Sequence, residues 1–274
     1  MLYQIPHYRI MGDRSVIVEL GDQISPEINR RVWQFAIALI EHPTEGLVEI
    51  IPAYRSLLII HDPLKISVAT LQHRVEALQK KIEGIQIPEP KTVEIPVVYG
   101  GEYGPDLEWV ARYHKISPEE VIQLHTGTTY QVYMIGFTPG HPYIAELPKA
   151  LITPRRETPR TNVPRGSVAI AMNQTVIYPV ESPGGLHILG RTPLKLFNPI
   201  HSPPTLLEMG DLVRFFPIKE EEFKQWPRYQ QLPSGPSHCY PQGYYRKHRD
   251  TRWRGAASIT PAIRPRLAPI GTVG

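Results

Sequence analysis

This chain has little that suits oxidative or metal chemistry. Its 274 residues include one cysteine, Cys239, so no internal disulfide can form, and such sparse thiol use fits a reducing compartment. No CxxC, no HExxH and no tight run of His, Asp and Glu occurs, so no protein-bound metal is expected. The phosphate loop G-x-x-x-x-G-K-[ST] and the nucleophile elbow G-x-S-x-G are also missing. That sets aside P-loop nucleotide hydrolysis and α/β-hydrolase catalysis. No run of about 18 apolar residues is present, and the opening MLYQIPHYRIMGDRS carries no long apolar stretch. The expectation is a soluble, cytoplasmic protein with no membrane role.

Proline, by contrast, is abundant: 30 residues beside 20 glycines, a composition that points to many ordered turns and a β-rich fold. An apolar fraction of 41% over this length supports one large or two modest domains. The net charge of +4 hides an asymmetry. Residues 225–274 hold eight Lys/Arg and one acid, a net +7, which leaves −3 on residues 1–224. The basic character belongs to the tail, so the folded body is not expected to bind nucleic acid.

Hydrophobic patterning divides the chain. Tyr8–Met11 and Ser15–Glu19 read as strands about the Gly12-Asp13 turn. Ser25-Pro26-Glu27 opens a helix with Ile28, Val32, Phe35, Ala36 and Leu39 on one face. A second strand pair, Val48–Pro52 and Ser56–Ile60, leads to a helix capped by Ser67, with Leu71, Val75 and Leu78 inward. Two ββα units make an α+β domain over residues 1–88, its helices on one sheet face. The connector GIQIPEPK (84–91) ends it. Asp106 is placed as the cap of a short helix, and Ser117-Pro118-Glu119-Glu120 as a capping box. From Gln131 to about Ile218, short strands cut by Gly and Pro predict a mainly β barrel or sandwich, giving a second domain over 89–223. The basic, Pro/Arg-rich tail 224–274 lacks periodicity and reads as disordered or partner-dependent.

Candidate chemistry concentrates between Ile135 and Asn198. Pro154-Arg155, Pro159-Arg160 and Pro164-Arg165 recur every five residues, with Arg156 beside the first. On one straight strand the odd spacing would alternate faces, so either the chain turns between the arginines or only Arg155 and Arg165 converge. Guanidinium suits carboxylate or phosphate; pairing with Glu157, Glu146 or a partner protein is the plainer alternative. Ser182-Pro183-Gly184-Gly185 can expose successive N–H groups as an anion nest, with Gly190-Arg191-Thr192-Pro193 close behind. The turn cluster 136–143 is suited to lining a pocket with aromatic rings; its His141 reads first as a merely polar loop histidine, and His125, inward-facing near a helix end, as a satisfied half-buried one, with acid–base or ligand chemistry the alternative for each.

These segments, taken together, resemble a known family. VEIPVVYGGEYGPDL (93–107), GFTPG (136–140), PRRETPR (154–160), VPRGSVAIA (163–171), Gln174-Thr175, YPVESPGG (178–185), GRTP (190–193) and GDLVRFFPI (210–218) are similar to the Kip-inhibitor-like (KipI-like) family, that of the 5-oxoprolinase B subunits, also called allophanate hydrolase subunit 1. The likeness covers roughly residues 5–223 and implies a ferredoxin-like α+β N-terminal domain followed by a cyclophilin-like barrel. It implies ATP-dependent opening of 5-oxoproline to glutamate, ATP bringing its own Mg2+. The implied partners are a KipA-like C subunit (allophanate hydrolase subunit 2) and a LamB/YcsF-like A subunit. Family alternatives are inhibition of a sensor histidine kinase and a carboxyltransferase component of a biotin-dependent urea carboxylase-like system. By the same resemblance His125, Arg160 and Arg191 are the catalytic candidates. Arg155, Ser167, Gln174, Thr175, Glu181, Gly184 and Gly185 are the candidates for substrate or nucleotide binding. This chain departs from the family pattern at His141–Glu146, where two glycines are replaced, and at Leu186, which stands in place of an aromatic residue.

Overall fold

The computed structural model describes residues 1–79 and 82–226. Strands β1 (Leu2–Met11), β2 (Ser15–Gly21), β3 (Leu47–Pro52) and β4 (Ser56–His61) form one antiparallel sheet in the order β1-β2-β4-β3. Helix α1 (Pro26–Glu41) begins as the sequence predicts, with Ser25 Oγ accepting from the Ile28 N–H at 3.3 Å, a cap that contributes about 1 kcal/mol. Helix α2 (Val68–Gln79) starts at Ser67, whose Oγ accepts from Thr70 N–H. Alternation in the strands turns Val16, Val18, Leu57 and Ile59 towards Val32, Phe35 and Leu39 of α1 and Leu71 and Val75 of α2. Each such side chain contributes about 1.5–3 kcal/mol on full burial. The two-layer α+β architecture is therefore present. Its element order is ββαββα, whereas the ferredoxin-like motif runs βαββαβ; moving the first strand to the end interconverts the two.

The second core is a closed barrel of seven strands. In chain order its elements are β5 (Thr92–Tyr99), α3 (Leu107–His114), α4 (Pro118–Thr126), β6 (Thr129–Ile135) and β7 (Pro142–Ala145). There follow β8 (Arg160–Val163), β9 (Ser167–Ala171), β10 (Gln174–Ile177), β11 (Ser182–Gly184), β12 (His187–Arg191), β13 (Leu212–Pro217) and α5 (Glu220–Gln225). The barrel closes as β10-β7-β6-β13-β5-β12-β9, and β8 pairs with β11 outside it. Only the β13–β5 pair is parallel; the long excursion from one to the other accommodates the remaining strands. Closure removes free sheet edges, and Ile95, Val97, Val132, Ile144, Val168 and Ile170 fill the interior. The mainly β expectation for this part of the chain holds, and a cyclophilin-like barrel fits it. The Ser117 capping box forms with both of its hydrogen bonds. The reading of the tail lies outside the described residues from residue 227 onward. Among the described residues no helix is long and apolar enough to cross a membrane.

Asp106 departs from its expected role. It occupies the position before α3, but its side chain caps nothing there; the carboxylate is committed elsewhere. The seam between sheet and barrel is held by Asn29 of α1. Its amide donates towards Ala53 O, Tyr54 O and Tyr133 O at 3.1–3.3 Å. Gly210, at φ 91°, lies against the Trp33 ring so closely that a Cβ there would come within 2.1 Å of it.

Candidate functional site

The structure sorts the predicted site residues into three groups. The first gathers around Asp106, a carboxylate only 4% exposed. Arg160 donates to both of its oxygens, Nη1 to Oδ2 at 2.8 Å and Nη2 to Oδ1 at 2.9 Å. Arg156 Nη1 reaches Oδ1 at 2.8 Å, and the Ile188 N–H donates to Oδ2 at 2.7 Å. The chain bends at Glu157-Thr158, which brings Arg156 and Arg160 to one side. Of the two geometries the five-residue spacing leaves open, the turning one is realised, and the arginines that converge are Arg156 and Arg160. The forked donor set of Arg160 matches the carboxylate two-to-two. A second guanidinium offsets the cost of burying the charge. This cluster ties α3 to β8 and β12; beside it His187 stacks on Trp109 at 4.3 Å.

The second group lies inside the barrel. His125, on α4, is 0% exposed. Its Nδ1 is 2.8 Å from the Tyr99 hydroxyl and its Nε2 is 3.1 Å from Thr175 Oγ1. Thr175 Oγ1 in turn donates to Ala169 O at 3.4 Å. That direction assigns the proton to Nε2, with Tyr99 donating to Nδ1. Burial lowers the His125 pKa to about 3, so the ring is neutral at physiological pH. Phe215 and Tyr130 pack against it.

The third group sits where the loop before β4 meets the barrel. Gln174, at the start of β10, accepts a hydrogen bond from the Tyr54 hydroxyl through Oε1. The Tyr54 ring meets Tyr143 edge-on at 5.7 Å and Tyr133 at 5.9 Å. His141 touches Tyr143 at 5.0 Å, Tyr178 at 5.3 Å and Phe137 at 5.6 Å. It is 4% exposed, its Nδ1 has no partner, and burial lowers its pKa to about 4. The turn cluster 136–143 thus supplies the aromatic lining expected of it. Arg155 is exposed, and its positive field opposes the burial that raises the phenol pKa values of Tyr54, Tyr143 and Tyr178. Gly184 closes the group: a Cβ there would lie 2.2 Å from the Tyr178 hydroxyl oxygen.

The anion nest expected at Ser182–Gly185 is not formed. Ser182–Gly184 is an extended strand paired with Arg160–Val163, and neither Gly184 nor Gly185 has the positive φ that a nest requires. Gly185 instead accepts from the Arg156 N–H through its carbonyl at 2.9 Å. Arg191 ends β12 with Nε buried and unpartnered. Ser167 is buried opposite it in register, and Arg165 is exposed. Glu181 is exposed and accepts from Asn162 Nδ2 at 2.7 Å. Leu186 packs with Val163, Ala169 and Tyr178, so an aliphatic side chain fills that wall. Among the described residues no three His, Cys, Asp or Glu converge as a metal site. A shallow hollow of about 560 Å³ between Pro43–Glu45 and Thr70, His73 and Arg74 belongs to the N-terminal unit and contains none of these residues.

Sequence reasoning missed Asp106 as the arginine partner, and it missed Tyr54 and Tyr178. The only local signal for Tyr54 was its place at the tip of a strand-to-strand turn, where a large aromatic is free to reach across to another element.

Comparison with known proteins bears on this arrangement. The family described as carboxyltransferase domain, subdomain C and D, matches residues 6–207. The chain is 40% identical over 235 residues to the 5-oxoprolinase B subunit of Bacillus subtilis, covering 81% of this chain and 95% of the relative. It is 40% identical over 212 residues to the 5-oxoprolinase B subunit of Escherichia coli O157:H7, covering 77% and 95%. The crystal structure of TTHA0988 superposes with a TM-score of 0.67 at 36% identity over 82% of this chain, which spans 43% of that longer one. The Kluyveromyces lactis urea amidolyase structure shares the fold, with a TM-score of 0.67 at 24% identity over 80% of this chain and 15% of its own. With near full-length identity of this order and a family match over most of its folded part, the chain belongs to the family of 5-oxoprolinase B subunits.

Proposed function

We propose that this chain is the B component of a 5-oxoprolinase-type complex that works with a C component and an A component. In the overall reaction 5-oxo-L-proline, ATP and two waters give L-glutamate, ADP and phosphate. The lactam C–N bond breaks, one water supplies the new carboxyl oxygen, and the freed nitrogen becomes the amine. The observation that carries this reading is the 40% identity across 95% of the Bacillus subtilis B component.

The residues expected to cradle ATP fit a triphosphate poorly in this chain by itself. Arg156 and Arg160 are consumed by Asp106, and the Gly184-Gly185 backbone is extended. A polyphosphate needs several free donors or cations, and of the predicted site arginines only the exposed Arg155 and the half-buried Arg191 lack an acidic partner among the described residues. ATP, with the Mg2+ it carries, is accordingly a co-substrate of the complex, and this chain contributes to binding the organic substrate.

The test reconstitutes the purified chain with the A and C components and follows ADP and glutamate release. Glutamate is expected only when all three are present with ATP. Equal rates without this chain, or no glutamate with all three, would defeat the reading. The matched domain description favours a second reading, a carboxyltransferase component of a biotin-dependent urea carboxylase-like system. Carboxyl transfer from a carboxylated biotin carrier to urea, dependent on this chain, would replace the first reading with that one.

A further inference from the structure

The aromatic group around His141 has a chemistry of its own. Arg155 is the only exposed member of the Arg155-Arg156-Arg160 set, and no acid pairs with it among the described residues. Its charge acts on three phenols, Tyr54, Tyr143 and Tyr178, which the Tyr54–Tyr143, His141–Tyr143 and His141–Tyr178 ring contacts tie together. Tyr54 is fixed by Gln174, but the Tyr143 and Tyr178 hydroxyls have no hydrogen-bond partner among the described residues. Beneath them the buried His141 keeps Nδ1 unpartnered. A buried polar atom without a partner costs about 1–3 kcal/mol, a cost that a bound water, ion or ligand removes. The missing Cβ at Gly184 lets the Tyr178 hydroxyl lie against that backbone, since a methyl there would come within 2.2 Å of the oxygen.

We propose that Arg155, the Tyr143 and Tyr178 hydroxyls and His141 form a binding site for a small monocarboxylate, closed on one side by Tyr54 from the N-terminal unit. One guanidinium and neutral hydroxyl donors balance one negative charge, and a carboxylate matches the forked donors of arginine. A phosphate dianion or a polyphosphate would be left under-neutralised. Tyr54 is a positioning residue. Asn29 donates to the carbonyls of Ala53 and Tyr54 and to that of Tyr133, which sets the height of the Tyr54 ring over Tyr143. The site therefore depends on the seam between the two units. This inference rests on the proposed function only in identifying 5-oxo-L-proline, a monocarboxylate with an adjacent ring amide, as the occupant.

The experiment is direct binding to the purified full-length chain, by calorimetry and saturation-transfer NMR. The probes are 5-oxo-L-proline, its neutral carboxamide, acetate and inorganic phosphate. The carboxylates are expected to bind in competition with each other. Carboxamide, or the Arg155→Gln variant with 5-oxo-L-proline, is expected to bind about 10- to 100-fold more weakly, the size of one charged hydrogen-bonded contact. Gly184→Ala is expected to weaken binding as well, and Arg165→Gln, an exposed arginine whose charge does not act on the phenols, to leave it unchanged. Equal affinity for acid and amide, full affinity in Arg155→Gln, phosphate binding tighter than any carboxylate, or no carboxylate binding at all would each overturn the proposal. Acetate bound through Arg155 with 5-oxo-L-proline excluded would keep the carboxylate site and remove the 5-oxoprolinase substrate from it. Glutamate production by the reconstituted complex with an unchanged KM in Arg155→Gln would do the reverse.

Discussion

His125 gives the sharpest test of how the barrel is held together. Its pKa falls from 6.5 to about 3 because burial withholds solvent from the charged ring, and its nitrogens lie within hydrogen-bond reach of the Tyr99 and Thr175 hydroxyls. The unfolded chain takes up the proton near pH 6.5, while the folded chain resists it down to about 3. The stabilisation is thus complete above pH 6.5 and is lost as pH falls towards 3. About 3.5 pKa units at 1.36 kcal/mol each make this on the order of 5 kcal/mol for the whole window, of which about 3 kcal/mol is spent by pH 4. Urea unfolding across this range, at about pH 7.5, 6, 5 and 4, measures it. His125→Gln is expected to start lower at neutral pH by about 1–3 kcal/mol, because Tyr99 and Thr175 lose a well-placed partner. Its stability should then fall less steeply with acid. His141, lowered to about 4 by burial, adds a slope of the same sign, so the single variant flattens the acid limb in part and the double variant with His141→Gln flattens it further. An acid limb in His125→Gln as steep as that of the parent chain would refute the reasoning. The same variant separates a core histidine from a catalytic one. Loss of a general acid or base lowers kcat by about 10²–10⁴ at every pH. The geometry instead predicts kcat within a few-fold of the parent at temperatures where the variant is folded.

Three further perturbations address other parts of the molecule. Asp106→Asn removes the only counter-charge of Arg156 and Arg160 among the described residues. It should cost about 3–5 kcal/mol, read as a lowered Tm that Arg156→Gln in the same chain partly restores. Asp211 behaves oppositely to His125. Burial lifts its carboxyl from 3.8 to about 7 although Lys91 Nζ lies 3.3 Å away. Its contribution is full below about pH 4 and is lost as pH rises through 7; Asp211→Asn should remove that decline, and unfolding at about pH 4 and pH 8 would show the variant gaining on the parent chain as pH rises. Gly184→Ala places a methyl 2.2 Å from the Tyr178 hydroxyl oxygen, and calorimetric melting should register a loss of about 1–3 kcal/mol.

The sequence speaks clearly where structure is local. Ser25-Pro26, Ser67 and Ser117-Pro118 start helices because a hydroxyl at the cap and proline in the first turn act within four residues. The alternation in Val16–Leu20 and Leu57–Ile59 marks the strands because each side chain answers only to the face it is on. The closed barrel is legible as a class, from short strands cut by Gly and Pro. Its order is not: β5 lies beside β13, more than a hundred residues later, and no local pattern records which strand a neighbour will be. The ferredoxin-like expectation is met only in its layers, for a related reason. A sheet in the order β1-β2-β4-β3 under two helices is reached by ββαββα as well as by βαββαβ, and packing preferences do not say at which strand the chain begins.

The arginine ladder shows how far residue type alone carries a site. Proline spacing leaves open a turn or the convergence of Arg155 and Arg165 alone; the chain turns, and the bend delivers Arg156 and Arg160 to Asp106, 50 and 54 residues upstream. An acid at the start of a helix reads locally as a cap, and only the folded chain reveals that its oxygens are turned to two guanidinium groups and to Ile188 N–H. Once those two arginines are committed, Arg155 and Arg165 remain, and of these only Arg155 acts on the phenols. The Arg155 charge acts on Tyr143 and Tyr178, whose hydroxyls have no partner among the described residues and whose rings touch His141, with its unpartnered Nδ1. Buried donors spent on one another hold a fold together; donors left unspent at a cleft are those able to bind. The catalytic and nucleotide candidates Arg160 and His125 belong to the first kind in this structure, and the substrate candidates Arg155, Gln174 and Gly184 meet at the second.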